Sequence, residues 1–301
     1  MPKTSTSATS DGARFRRAVL RWYAANGRHA LPWRLTRDPY AVLVSEVMLQ
    51  QTQVERVIPY YAGWLQRWPG FPALASAPPA EVIRAWRGLG YNRRAVNLHR
   101  LAATVQREHG GLLPADRATL LALPGIGPYT AAAVRSFAGN ERVAVLDTNI
   151  ARLLARVVAG VATQREVPPR AVRTIAESLL PTSNARDHNL ALMDFGAMVC
   201  TARAPRCQAC PVAATCAWRA AGYPPGAPAT RPAVAFEDTA RFARGRIIDA
   251  LRAGPATVDV LASMLPAYHA GRIETYLAAL ERDALAVRTA GTMWALPPAS
   301  A

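Results

Sequence analysis

The stretch Leu120-Leu121-Ala122-Leu123-Pro124-Gly125-Ile126-Gly127-Pro128-Tyr129-Thr130-Ala131 decides the fold. It reads as a short apolar helix, a tight turn and a second helix. Gly125 and Gly127 free the backbone for positive φ and for close approach to another molecule. The N-terminus of the second helix leaves unpaired N–H groups aimed along the turn, and one nucleic-acid phosphate fits there. An ordinary helix–helix turn is the plain alternative. The full pattern, with an apolar helix before it, is more specific than two glycines alone.

Downstream lies Val145-Leu146-Asp147-Thr148-Asn149. Asp147 follows an apolar run and precedes an apolar helix, so it reads as an N-cap. Capping is compatible with catalysis, because a helix N-terminus favours the ionised carboxylate. Further on, Cys200, Cys207, Cys210 and Cys216 are the only cysteines, spaced C-x6-C-x2-C-x5-C. Four close thiolates suit a tetrahedral zinc ion or an iron–sulfur cube. Zinc ribbons usually bring two close pairs, and this loop has one, Cys207 and Cys210. Two disulfides are a poor fit to a reducing compartment. Arg203 and Arg206 within the loop can balance the negative charge and reach outward to phosphate.

The whole chain agrees with a polyanionic partner. Its 301 residues carry a formal net charge of +16, and all but one of its 36 Lys and Arg residues are arginine. Arginine binds phosphate bidentately and stacks on bases. A GC-rich codon bias explains the preference for arginine equally well, and the chemical consequence is the same. The one lysine is Lys3, so no lysine beyond the N-terminal tail can act as a nucleophile. No apolar run is long enough to span a bilayer, and Met1 to Gly12 has no apolar core of a secretion signal. A disordered tail over 1–12 and a cytoplasmic protein are expected.

Helical spacing dominates and strand signals are nearly absent, so the body reads as all-α. The first helix is expected from Arg14 to Asn26. Pro, Gly and Ala mark a linker over 224–235. The last segment, 236–301, is expected to form a winged-helix-like unit of three helices and an apolar hairpin turning at Gly291.

Taken together, the hairpin, the cysteine loop and Asp147 resemble the helix-hairpin-helix DNA glycosylases of the endonuclease III superfamily. Leu31-Pro32-Trp33-Arg34 and Ser45-Glu46-Val47-Met48-Leu49-Gln50-Gln51-Thr52-Gln53 are similar to the MutY-type adenine DNA glycosylases. Gly88-Leu89-Gly90-Tyr91 and Gly127-Pro128-Tyr129-Thr130 agree. The resemblance covers about Phe15 to Trp218. It implies a six-helix barrel over 38–144, and an iron–sulfur domain from 13–37 and 145–223 holding a [4Fe–4S] cluster on the four cysteines. The active site would lie in the cleft between them. The implied partner is double-stranded DNA with an adenine mispaired with 8-oxoguanine or guanine, its base flipped out and bound by a monomer.

The resemblance also implies roles. Glu46 would protonate adenine N7, and Asp147 would stabilise the sugar cation. Asn149 would place the phosphate or water, and Tyr129 would sit beside the sugar. Trp33, Arg34, Leu49 and Leu190 would line the base pocket. Gln51, Thr52, Leu89, Tyr91, Leu123, Gly125 and Gly127 would contact DNA, with Gln51 and Tyr91 as wedges. Bifunctional relatives carry a Schiff-base lysine where this chain has Tyr129, so a monofunctional glycosylase is expected.

Three departures bear on base choice. Thr148 follows Asp147 where the family usually has Gly. Leu190 stands where many members have Gln or Glu, a polar contact whose loss is worth about 1–3 kcal/mol. The segment after Ala235 is too short for the usual MutT-like domain and lacks its pattern. Thymine or uracil excision opposite guanine, and a non-catalytic cluster-bearing DNA-binding protein, are the competing readings.

Overall fold

The computed structural model describes residues 5–227, 234–289 and 292–298, with side chains from Asp11 onward. The helices that carry the site are α1 (Ser5–Asn26), α2 (Pro39–Leu49), α3 (Arg93–Glu108), α4 (Arg117–Ala122) and α5 (Pro128–Phe137). They continue with α6 (Thr148–Leu154), α7 (Ala185–Met198), α8 (Ala240–Ala253) and α9 (Ile273–Arg282). No helix among the described residues is long and apolar enough to cross a membrane.

The chain forms two compact units, one of Met1–Val42 with Gly127–Thr230, the other of Leu43–Ile126 with Arg231–Ala301. These boundaries differ from those expected at 37/38 and 144/145. In the first unit α1 packs along α7, with Trp22 edge-on to Phe195 at 5.1 Å. Helix α1 starts at Ser5, so most of the stretch expected to be a tail is helical; Ser, Thr and Ala run there without a breaker before Gly12. Asn26 closes it on Gly27, whose N–H bonds the Tyr23 carbonyl at 2.7 Å. Helix α6 runs on into a π-helical turn, Ala155–Ala159, which ends at left-handed Gly160. Single π turns often mark functional positions.

In the second unit the C-terminal residues share one core with the residues after Leu43. Ile83 and Val96 pack in the same apolar cluster as Ile247, Ile248, Leu251 and Trp294. The expected separate C-terminal domain is therefore a layer on this unit. Arg252 strengthens the junction, donating from Nε to the Ile83 carbonyl at 3.1 Å and from its NH2 group to Asn92 Oδ1 at 2.8 Å. The expected helices and hairpin follow in order, with an extra short helix at Ala267–Ala270. An added strand, β1 (Ala256–Thr257), pairs antiparallel with the hairpin strand β3 (Met293–Ala295), which pairs with β2 (Val287–Arg288). Ala256 lies opposite Trp294, and Val287 opposite Ala295. Gly291 and residues 228–233 of the linker lie outside the described residues.

Candidate active site

Asp147 is the N-cap of α6, with an extended backbone and a carboxylate that accepts the Ile150 N–H at 2.6 Å. Its other oxygen accepts from Asn149 Nδ2 at 2.8 Å. Asn149 is held in turn by Arg152, whose NH2 group donates to Asn149 Oδ1 at 3.1 Å and to the Gly196 carbonyl at 2.6 Å. Arg152 Nε reaches the Cys200 carbonyl at 3.0 Å. Burial pushes the Asp147 carboxyl above its ordinary value, while the Ile150 N–H and the Asn149 amide oppose that shift. The expectation that capping keeps this group ionised therefore holds only in competition with desolvation. A β-carbon on Gly196 would come within 2.8 Å of the Asn149 carbonyl oxygen, so close helix packing here requires glycine.

The segment entering Asp147 is pinned from α7. Asn189 Oδ1 accepts the Val145 N–H at 3.2 Å, and its Nδ2 donates to Ser136 Oγ and the Val143 carbonyl, both at 2.9 Å. The adjacent Leu190 is buried. So is His188, whose two ring nitrogens have no hydrogen-bond partner; burial, with Arg16 nearby, lowers its pKa to about 4.

Trp33 and Arg34 sit on one 3-10 turn and both are buried. Arg34 forms a two-pronged pair with Asp194, at 2.6 and 2.7 Å. Asp194 is fully buried and also accepts from Arg28 Nε at 2.7 Å and Arg28 N at 2.9 Å. Burial alone would raise the Asp194 pKa, but the Arg34 and Arg28 contacts hold it below the ordinary value. Both prongs of Arg34 are thus committed to holding the fold, and only its buried Nε is unpartnered.

In the second unit, Glu46 lies in α2 within a run of buried residues and is 5% exposed. Leu49 is half-buried near the end of that helix. Two loops follow from the motifs, and each tip is a non-glycine in the left-handed region: Gln51 at φ 55° and Tyr91 at φ 46°. Such backbone is uncommon and clusters at functional positions. Arg94 binds the two loops together. Its NH1 group donates to the carbonyls of Val47, Met48 and Gln50, at 2.7, 3.0 and 2.6 Å. Its NH2 group donates to the Leu89 and Gly90 carbonyls, at 2.8 and 3.0 Å, and to Thr52 Oγ1 at 3.2 Å. Burial lowers the Arg94 pKa to about 10, so it stays charged at neutral pH. Thr52 Oγ1 lies 3.2 Å from the Leu89 carbonyl, and Leu89 is buried.

The hairpin forms where expected, and Asp116 caps α4 by accepting the Thr119 N–H at 2.9 Å. Leu123 is buried beneath the turn. Gly125 has φ 79°, and a β-carbon there would meet Asn97 at 2.8 Å. Gly127 departs from expectation: its φ is −99°, an extended value open to any residue. A β-carbon at Gly127 would meet nothing within 4 Å, so neither strain nor crowding by the fold demands glycine at this N-cap. Tyr129 is half-buried at the start of α5.

All four cysteines are free and line one small hollow. Burial, followed by the other three thiols, pushes Cys210 up to about 11. Among the described residues no three His, Cys, Asp or Glu side chains converge tightly enough to hold a single ion. Arg156 frames the hollow. Its guanidinium lies 4.6 Å from the Trp218 ring centre and bonds the Thr201 and Ala202 carbonyls at 2.7 and 3.1 Å. Arg203 and Arg206 are exposed. Sequence reading missed Arg94, Arg152, Arg156, Asn189 and Asp194. Each has at least one partner more than 40 residues away, which no local pattern marks.

A capped aspartate, a glycine hairpin and a four-cysteine loop on a helical body define a base-excision class of fold. Residues 44–181 match the model of the HhH-GPD superfamily base excision DNA repair proteins. An adenine DNA glycosylase of Mycobacterium tuberculosis is 44% identical over 288 residues, covering 93% of this chain and 92% of the relative. A solved thermostable thymine-DNA glycosylase is 32% identical, with a TM-score of 0.67 over 71% of this chain and 99% of its own. An endonuclease III structure is 21% identical with a TM-score of 0.60 over 70% of this chain and 97% of its own, a likeness of fold. The chain belongs to the adenine DNA glycosylase family of this superfamily.

Proposed function

We propose that this chain hydrolyses the N-glycosidic bond of adenine mispaired with 8-oxoguanine or guanine in duplex DNA. The observation that carries the reading is Asp147 itself, a half-buried carboxylate held by a helix N-terminus and by Asn149. Glu46 delivers a proton to adenine N7, which makes the base a competent leaving group. The Asp147 carboxylate faces the positive charge that develops on the sugar, stabilising it through space or through a short-lived covalent adduct. Water completes the reaction, and Asn149 orients it or the neighbouring phosphate. Tyr129 stands where bifunctional relatives carry a lysine, so the chain releases the base without cutting the strand.

The four cysteines fit a [4Fe–4S] cluster better than one zinc ion. The four thiols line one hollow, and their C-x6-C-x2-C-x5-C spacing, with one close pair rather than the two of a zinc ribbon, suits a four-iron cube. Cys200, Cys207, Cys210 and Cys216 would hold the cluster, which would tie the loop together and leave Arg203 and Arg206 free to reach phosphate. A second reading, thymine or uracil removal opposite guanine, is favoured by the apolar Leu190 and by the likeness to the thymine-DNA glycosylase. Single-turnover excision on duplexes carrying A:8-oxoG, A:G, T:G and U:G separates them. Release of adenine, abolished by Asp147→Asn, is expected; release of thymine but not adenine refutes the leading reading. No release from any duplex points to a DNA-binding protein.

A further inference from the structure

The C-terminal layer creates a groove that the reaction above does not use. It lies between α8 and the start of α3, encloses about 630 Å³, and is lined by arginines from both helices. Its carboxylates are already engaged: Asp249 pairs with Arg252, and Asp283 pairs with both Arg93 and Arg244. Arg241 and Arg246 are exposed and have no carboxylate partner among the described residues. One end of the groove is Tyr91. The Arg241 guanidinium lies 3.7 Å from the centre of that ring, and its NH1 group donates to the Tyr91 hydroxyl at 2.6 Å. The other side is Asn97, the residue packed beneath Gly125 of the hairpin turn. The groove thus runs between the two turns assigned to DNA contact.

We propose that this groove is an additional seat for the DNA backbone, in which Arg241 and Arg246 of α8 each neutralise a phosphate of the duplex. Arg241 has a second task as a positioning residue, because its stacking fixes the exposed ring of Tyr91. The proposal rests on the DNA-binding reading above and extends the footprint onto the C-terminal layer. Phosphate contacts carry no sequence information, so their loss weakens matched and mispaired duplexes alike and flattens the salt dependence.

The test is fluorescence anisotropy of the full chain on a labelled duplex with an A:G mispair and on its matched counterpart, across a salt series. For Arg246→Gln the slope of log affinity against log salt becomes shallower by about 0.9, the value of one phosphate contact. The loss is the same on both duplexes, and Arg246→Lys keeps the slope. Arg241→Gln lowers the slope by a similar step. Thermal melts of each variant report folding separately. An unchanged slope in both Gln variants overturns the proposal, as does a loss confined to the mispaired duplex. Failure of the unaltered chain to bind either duplex overturns the DNA-binding reading itself, a distinct outcome.

Discussion

The two compact units each bury a guanidinium beside residues assigned to substrate, and they do so by opposite means. In the first unit Arg34 is matched by a carboxylate, Asp194, which is fully buried and shared with Arg28. In the second unit Arg94 meets only neutral oxygens, five carbonyls and the Thr52 hydroxyl. The first arrangement offsets one of two positive charges and fixes a turn. The second spends no negative charge, so Arg94 remains a fixed positive centre under the Gln51 and Tyr91 loops. A cation held by carbonyl dipoles both shapes these loops and adds to the field that draws in phosphate.

The contrast is testable, starting with its charged half. Asp194→Asn leaves two arginines around a neutral amide. It is expected to destabilise the fold by about 3–5 kcal/mol, the usual cost of breaking a buried pair from one side, read as a lower midpoint in urea. Arg94→Met removes the donors from the end of α2. A smaller loss of about 2–3 kcal/mol is expected, with Arg94→Lys recovering part of it because one ammonium cannot reach all six acceptors. A larger effect at Arg94 than at Asp194 would break the comparison.

Acid separates the two sites further. The Asp194 carboxyl titrates below its ordinary value of 3.8 in the fold. Its stabilisation is therefore fully present above that value and is lost as pH falls through the lower folded value. Arg94 does not titrate there, so an acid unfolding series should lose this limb in Asp194→Asn and keep it in Arg94→Met. The smallest expected effect concerns Asp147. Its raised pKa places the acid limb of single-turnover excision above the ordinary aspartate range, since the ionised form is needed. Asn149→Ala removes a contact that lowers this pKa, so the limb moves to still higher pH. A limb that stays in place would show that Asn149 does not tune the carboxylate.

Much of this architecture was legible from local chemistry. Asp147 announces itself as a cap because the polar residue interrupts two apolar runs, and the hairpin and cysteine spacing are equally local. The short helix Phe71–Ala75 was not legible, because five residues carry too little periodicity. Arg94 and Asp194 were not legible either, since the α2 carbonyls that Arg94 binds lie more than 40 residues away and the arginines that Asp194 binds about 160. Nor did the pattern of 236–301 reveal that Ile83 and Val96 would complete its core. Composition marks a residue as apolar but not the surface that it covers.

The left-handed tips at Gln51 and Tyr91 have a consequence for how the sequence can change. Each holds a side chain in a conformation that costs on the order of 1–3 kcal/mol. Glycine at either position would relieve that cost and make the chain more robust, while deleting the group assigned to the DNA stack. Selection for thermal stability alone would therefore drift toward glycine at these two positions and erase function first. A stability-selected library should show that drift at 51 and 91, and its winners should lose excision while melting later.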